Sequence, residues 1–177
     1  MTNVWFCSDL HVDHKAIAKY RLEVSSEAHN REVIKDSWGR LVTKRDKVFV
    51  LGDSAFSEEG IDWIGGLAGE KILIRGNHCD WPIRSYLRVF KEVYGLWKYK
   101  NFWLSHAPIH PQELRGKFNL HGHTHYQNIK QEYFNLNGKI VKSNEDDRRY
   151  LNCSVENILR MKGEVLINLN EVRSYFK

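Results

Sequence analysis

The sequence predicts a layered α/β protein. Apolar segments with strand and helix spacing alternate along the first half of the chain, and the second half is rich in strand patterns. With 177 residues, 42% of them hydrophobic, the chain can bury a sizeable core. We therefore expect one domain spanning residues 1–177, and we exclude disordered, collagen-like and repeat proteins.

The first half alternates strands with helices. Three short apolar runs rich in β-branched and aromatic residues predict buried strands, at residues 3–8, 47–51 and 71–75. Helical spacing of apolar residues predicts three helical segments, at residues 14–20, 26–42 and 57–67. Ser25 or Ser26 can cap the second of these helices and Ser57 the third, because a serine oxygen accepts a free backbone N–H.

The second half consists mainly of predicted strands. We expect a hairpin or two adjacent strands after Lys91 and further strands, at residues 118–120, 150–155 and 163–167. Asn168 or Asn170 is expected to cap a last short helix. Residues 126–149 contain the most polar stretch of the chain and an Asn137-Gly138 pair, which favours a tight turn. They are expected to form a surface β-hairpin.

Composition limits the classes of function. No apolar run approaches the roughly 18 residues that a membrane helix needs, and the first residues do not resemble a signal peptide. Three cysteines without paired spacing favour a reducing compartment, so we expect a cytoplasmic protein without membrane association. The net charge of +5 mildly favours an anionic partner, but the basic residues are dispersed and solubility explains them equally well.

Polar motifs follow five of the apolar segments. In chain order they are Asp9-Leu10-His11, Gly52-Asp53, Gly76-Asn77-His78, Ser105-His106 and Gly122-His123-Thr124-His125. Loops at the carboxyl ends of strands meet at one edge of a layered α/β sheet, so these five motifs can build a single site. Taken alone, each motif is most often part of a turn, a helix cap or the surface. The five motifs together indicate a functional site.

The residue types in these motifs predict metal binding. Imidazole nitrogens and carboxylate or amide oxygens are ligands for first-row divalent cations. The seven candidate ligands are Asp9, His11, Asp53, Asn77, His106, His123 and His125. Seven exceed one tetrahedral site but suit two cations about 3.5–4 Å apart that share a carboxylate. Asp53 is the best bridge because its two oxygens can serve both cations.

The five motifs in this order resemble the signature of the calcineurin-like metallophosphoesterases, which runs D-x-H, G-D, G-N-H, H and G-H-x-H. The resemblance covers residues 9 to 125 and implies a four-layer α/β/β/α sandwich with two central mixed sheets. It implies that one metal is held by Asp9, His11 and His125, the other by Asn77, His106 and His123, with Asp53 between them. It also implies that His78 is the catalytic histidine that faces the phosphate.

The chain departs from the family pattern beside His78. Cys79 stands where the family usually carries an acidic residue, and Asp80 follows one place later. We therefore keep Asp80, together with His14 and His121, as candidate contacts to the substrate or to the metal ligands. His110 is expected at the surface, and Cys7 and Cys153 in the core.

The resemblance implies hydrolysis of a phosphate ester by in-line attack of a metal-bridging hydroxide. We expect phosphodiesters or nucleotides as substrates, with nucleic acid as a further candidate. A phosphomonoesterase acting on small molecules or proteins is the alternative, and a non-catalytic scaffold is disfavoured because every ligand position is filled. Mn²⁺ is the expected metal, with iron, zinc and nickel as alternatives.

The hairpin at 126–149 is expected to narrow the pocket and to present basic residues to the substrate, namely Lys130, Lys139, Lys142, Arg148 or Arg149. The oligomeric state stays open.

Overall fold

A computed structural model, which describes residues 2–177, contains two main β-sheets and a separate two-stranded hairpin. The first sheet has the order β11-β1-β2-β3-β4, in which only β11 is antiparallel to its neighbour. Its strands are β1 (Val4–Cys7), β2 (Lys47–Val50), β3 (Glu70–Ile74), β4 (Glu92–Tyr94) and β11 (Ile167–Asn168). Three of its strands thus end in the same direction, each followed by one of the polar motifs.

The second sheet has the order β10-β7-β6-β5, and β5 is its antiparallel edge. Its strands are β5 (Leu96–Tyr99), β6 (Phe102–Ser105), β7 (Phe118–His121) and β10 (Tyr150–Asn152). The remaining strands, β8 (Lys130–Phe134) and β9 (Ile140–Asp146), pair only with each other. Their turn contains Asn137 and Gly138, and Gly138 has the positive φ of 71° that this turn requires.

Five α-helices complete the described part of the chain. They are α1 (Glu27–Leu41), α2 (Glu58–Gly65), α3 (Ile83–Leu87), α4 (Val155–Lys162) and α5 (Leu169–Tyr175). Ser26 and Ser57 cap α1 and α2 as expected, each accepting a backbone N–H from the first turn. Asn168 caps α5 with Glu171 in a reciprocal capping box. Within residues 2–177 no helix is both long and apolar enough to cross a membrane.

The core is divided by the first sheet. Successive side chains of a strand point to opposite faces, so Phe6 and Phe49 face the second sheet while Trp5 and Val48 face the helices. Ile34 and Trp38 of α1 and Ile61 and Ile64 of α2 pack on the helix side. Leu104, Leu120 and Leu151 of the second sheet pack on the other side. The predicted α/β sandwich with two central mixed sheets is confirmed.

Two segments differ from the sequence-based expectation. Residues 14–20 form no α-helix, only a short 3-10 turn at Ile17–Lys19. The strand predicted at 150–155 ends at Asn152, and α4 begins at Val155 and continues to Lys162. Short apolar runs do not distinguish a buried strand from a helix start, which is why the periodicity was misleading here. Of the strand predicted at 163–167, only Ile167 lies in a strand, β11 (Ile167–Asn168).

Candidate metal centre

The five polar motifs come together at the carboxyl ends of β1, β2, β3, β6 and β7. Backbone hydrogen bonds tie the loops to one another: Asp9 N donates to Gly52 O at 3.1 Å and His11 N to Asp53 O at 3.0 Å. A third bond, from Gly122 N to His106 O at 2.8 Å, joins the loops of the second sheet. The convergence expected from the sequence is therefore present in the structure.

The backbone is strained at the same place. Asp9, His11, Asp53, His123 and His125 all have positive φ values, between 46° and 67°. L-residues rarely adopt this left-handed region, and clusters of such residues mark sites where the surrounding structure holds a costly geometry for function. Five of the seven candidate ligands share this strain.

Asp9 lies at the centre of the cluster and is fully buried. Its Oδ2 accepts a hydrogen bond from His123 N at 2.9 Å, while Oδ1 has no hydrogen-bond partner among the described residues. His11 Nε2 lies 3.6 Å and His125 Nε2 3.9 Å from that oxygen. Both ring nitrogens of His11 are buried and likewise lack a partner in residues 2–177. A buried carboxylate and imidazole without partners fit a bound cation, because unpaired buried polar groups are costly.

A second group of ligands surrounds Asp53. His106 Nε2 lies 3.3 Å from Asp53 Oδ2 and 2.8 Å from Asn77 Oδ1. The same Asn77 oxygen lies 2.9 Å from His123 Nδ1. Asp9 belongs to this group as well, since one donor atom each from Asp9, Asp53 and His106 lies within 4.8 Å of the others. The two groups therefore adjoin and share Asp9.

The charges in the cluster favour anionic carboxylates. Burial alone would raise the pKa of Asp9, but the neighbouring imidazoles of His11 and His106 hold that pKa well below its usual range. The pKa of Asp53 is also lowered, because the interaction with His106 outweighs burial. His106 correspondingly has a raised pKa, since the carboxylates outweigh its burial. Two ionised carboxylates at one position are an electrostatic match for divalent cations.

A buried ion pair supports His125 from behind. Glu156, at the start of α4, accepts hydrogen bonds from Arg21 Nε at 2.9 Å and from His125 Nδ1 at 3.2 Å. The bond to Nδ1 leaves Nε2 free to face Asp9, as a metal-ligating histidine requires. Sequence reasoning missed both residues, because it assigned no element to residues 156–162 and a lone arginine carries no pattern. Glu156 directly after Ser154-Val155, in the first turn of a helix, is the signal that was available.

Close packing fixes the loop before His123. A side chain at Gly122 would collide with the side chain of Ser8 and the carboxylate of Asp9. Only glycine allows the backbone of this loop to approach Asp9 closely enough for the bond from His123 N.

A cavity of about 440 Å³ opens beside the cluster. Its lining residues are His11, His14, Ile17, Tyr20, Phe56, His78 and His125. His78, the expected catalytic histidine, is exposed; its ring packs 5.3 Å from that of Phe56, and its backbone N–H donates to Asp53 Oδ1 at 2.9 Å. His14 also lines the cavity, so it remains a candidate substrate contact.

The other candidate contacts lie elsewhere. Asp80 is exposed and, within the described residues, makes no hydrogen bond to His78. His121 is fully buried, its Nδ1 lies 2.8 Å from Gly122 O, and burial lowers its pKa to about 4. His110 is exposed and caps a short 3-10 turn, whereas Cys7 and Cys153 are buried.

The hairpin does not reach this cavity. None of its described residues lines the cavity, which corrects the expectation that its basic side chains meet the substrate. Lys130 instead pairs with Asp146 at 2.7 Å, and Arg149 with Asp147 at 2.6 Å. Lys130 and Arg148 line a separate depression with Tyr175. The hairpin strands pair only with each other, and Lys130 and Glu132 also line a depression with Ile109 and Tyr150, outside the cavity.

The donor set fits divalent cations. It combines neutral imidazoles, two carboxylates and an amide oxygen, and its unpartnered buried atoms are those that would bind metal. Asp9, His11 and His125 form one cluster of suitable atoms, and Asp9, Asp53 and His106 another.

Comparison with known proteins agrees with this geometry. The chain is 35% identical over 164 residues to the Gene 66 protein of Mycobacterium phage L5, covering 71% of this chain and 78% of that protein. It is 30% identical over 173 residues to the Gene 66 protein of Mycobacterium phage D29, covering 76% and 84%. A crystal structure of a protein of unknown function from Aquifex aeolicus shares the fold, with a TM-score of 0.70, 22% identity and coverage of 98% and 99%. Residues 2–168 match the family model described as calcineurin-like phosphoesterase. The chain belongs to the calcineurin-like phosphoesterase family and is a metal-dependent phosphoester hydrolase.

Proposed function

We propose that the chain hydrolyses phosphodiesters or nucleotides with two divalent cations bound at the convergent cluster. The observation that carries the proposal is the pair of unpartnered, buried donors at its centre, Asp9 Oδ1 and the His11 ring. The positive φ values of five candidate ligands support it, because backbone strain clusters at functional sites.

The ligands divide into two sets around Asp53. Asp9, His11 and His125 would hold one cation, which agrees with the 3.6 Å and 3.9 Å separations around Asp9 Oδ1. The second set would be Asn77, His106 and His123, whose side chains already meet at the Asn77 oxygen. Asp53 would bridge, because one of its donor atoms lies within 4.8 Å of donor atoms of Asp9 and His106, which belong to the two different sets.

The chain's own residues would then position the substrate and supply a proton to the leaving oxygen. When bound, two divalent cations supply charge for the phosphoryl oxygens and lower the pKa of a water from 15.7 towards about 7. His78, which is exposed at the cavity and is not among the proposed ligands, would stabilise the developing oxyanion or donate a proton to the leaving oxygen. Glu156 holds His125 in the orientation that points Nε2 at the cluster.

The metal and the compartment belong to the same proposal. Mixed imidazole, carboxylate and amide ligands favour Mn²⁺, iron, zinc or nickel over Mg²⁺, and we propose Mn²⁺. All three cysteines are buried and free, which supports a reducing compartment such as the cytoplasm. The open cavity beside His78 has room for an organic substituent, which supports diester or nucleotide substrates over small monoesters.

Asp53→Asn tests the bridge. An amide donates less electron density than a carboxylate and carries no charge, so we expect loss of hydrolysis of bis(4-nitrophenyl) phosphate and of at least one metal equivalent. Asp46→Asn is the matched control, because Asp46 is equally buried but lies at the opposite ends of the strands, where it accepts bonds from Asn3 N and Thr43 N.

Elemental analysis after loading with Mn²⁺ counts the metals, and circular dichroism checks the fold. Retention of two tightly bound metals by Asp53→Asn would show that the bridge is misplaced. A parent protein that neither binds Mn²⁺, iron, zinc or nickel nor hydrolyses the diester would refute the proposed function as a whole.

A further inference from the structure

The cavity beside the metal centre has two chemically different ends. Three histidines, His11, His78 and His125, form the end next to the proposed cations. The rest of the lining is aromatic and apolar. Phe56 packs directly against this end, with its ring centroid 5.4 Å from that of His11 and 5.3 Å from that of His78, and Tyr20 and the buried Ile17 extend the lining. A phosphate held at the histidine end would therefore direct its organic substituent along this apolar wall.

The aromatic wall is continuous from Phe56 to the cavity mouth. The rings of Phe56 and His14 are 4.5 Å apart at 74°, and those of His14 and Tyr20 are 5.7 Å apart at 70°. Tyr20 is 64% exposed, so a large aromatic ring is left in water at the mouth. Exposed aromatic rings beside a polar site are typical of ligand-binding surfaces.

The lining selects for a flat, uncharged substituent. None of the residues that line this cavity is Lys, Arg, Asp or Glu, so nothing in it neutralises a second charged group. The ring of His14 lies between the two aromatic rings and continues the wall.

We infer that this cavity binds the nucleobase of a nucleotide ester, stacked on Phe56 and Tyr20, while the scissile phosphate lies at the metal centre. The inference rests on the proposed function and names its substrate class. A nucleobase is flat and uncharged, and its π faces stack on aromatic side chains. The volume of about 440 Å³ falls within the range of about 300–1,000 Å³ found for small-molecule sites.

Two esters with the same leaving group test the inference. Thymidine 5′-(4-nitrophenyl phosphate) and methyl 4-nitrophenyl phosphate both release nitrophenol, and they differ only in whether a nucleoside is attached. The Mn²⁺-loaded parent protein should show a higher kcat/KM for the thymidine ester. In Phe56→Ala and in Tyr20→Ala the ratio of the two kcat/KM values should fall by about 5- to 150-fold, the effect of losing one aromatic stack.

Leu22→Ala is the matched control. Leu22 is 82% exposed in the same loop as Tyr20 but does not line the cavity, so its removal should leave the ratio unchanged. Calorimetry adds a measurement that does not depend on turnover: thymidine 5′-monophosphate should bind more weakly to Tyr20→Ala than to the parent protein, whereas methyl phosphate should bind both alike.

The outcomes separate the inference from the proposed function. If neither ester is hydrolysed with any of the four metals, the proposed function fails. If the parent protein hydrolyses both with equal kcat/KM, or if the aromatic variants lower both alike, the phosphoesterase stands and the nucleobase site is wrong. If the thymidine ester is cleaved but the dinucleotide TpT is not, the base belongs to a free nucleotide ester. If both are cleaved, the base belongs to a nucleic-acid end. Either assignment holds only if the ratio of the two kcat/KM values also falls in Phe56→Ala and Tyr20→Ala.

Discussion

Replacing Arg21 with methionine should destabilise the protein strongly, although Arg21 is not a proposed ligand. Its side chain is 0% exposed and donates to Glu156 Oε1 at 2.9 Å, to Asp9 O at 2.5 Å and to Leu10 O at 3.4 Å. It also bonds to the side chain of Asn30. Arg21→Met leaves the Glu156 carboxylate without its cation in a fully buried position.

The expected loss follows from that burial. Removing one partner of a buried ion pair costs about 3–5 kcal/mol, because the other charge stays buried and uncompensated. For a domain of this size each kcal/mol lowers Tm by about 2–4 °C, so Tm should fall by about 6–20 °C. Glu156 also orients His125 through a hydrogen bond. Removing such a hydrogen-bond partner of a metal ligand typically weakens metal binding about 10- to 100-fold.

Urea unfolding of the metal-free protein, followed by circular dichroism, measures the free energy without a contribution from bound metal. Arg40→Met is the control, since Arg40 is exposed and its ion pair with Glu164 at 2.9 Å should contribute less than about 1 kcal/mol. The double variant Arg21→Met/Glu156→Leu should lose less than the sum of the two single variants, by about 0.5–3 kcal/mol. A loss below about 1 kcal/mol for Arg21→Met, or strict additivity, would refute this reasoning.

Three further predictions concern the site and the hairpin. His78→Ala should keep both metals but lower kcat by about 10²–10⁴, with a smaller loss for a nitrophenyl than for an alkyl leaving group; equal losses would count against proton donation by His78. Gly122→Ala should abolish metal binding, measured by elemental analysis, because the new Cβ would collide with the Asp9 carboxylate. Gly39→Ala is the control: it lies at an open helical position in α1 and should stabilise the fold by about 0.5–1 kcal/mol. Replacing residues 130–147 with a short Gly-Ser linker should leave KM unchanged for both a small aryl phosphate and a nucleotide ester, because the hairpin does not line the cavity; a raised KM for the nucleotide ester alone would restore the hairpin to the substrate site.

Local patterns in the sequence were sufficient for several strands and helices and for the candidate ligands. The strands β1, β2 and β3 and the helix α1 each carry a complete signal within a few residues, an apolar run or a serine cap. The motifs that end these strands combine metal-ligating side chains with glycine. Parallel strands bring their ends together regardless of the loops between them, so convergence at one edge followed from the pattern alone.

The surroundings of the ligands depend on contacts between distant parts of the chain. Arg21 and Glu156 are 135 residues apart, and no local pattern pairs them. Phe56 and Tyr20 form a cavity wall only because the loops after β1 and β2 are held together. The sequence by itself therefore determined the fold class and the candidate ligands, since these follow from periodicity and residue type. Only the tertiary structure decided how Asp9 is shared, what supports His125 and what shape the substrate meets, because these are set by distances across the fold that no spacing along the chain encodes.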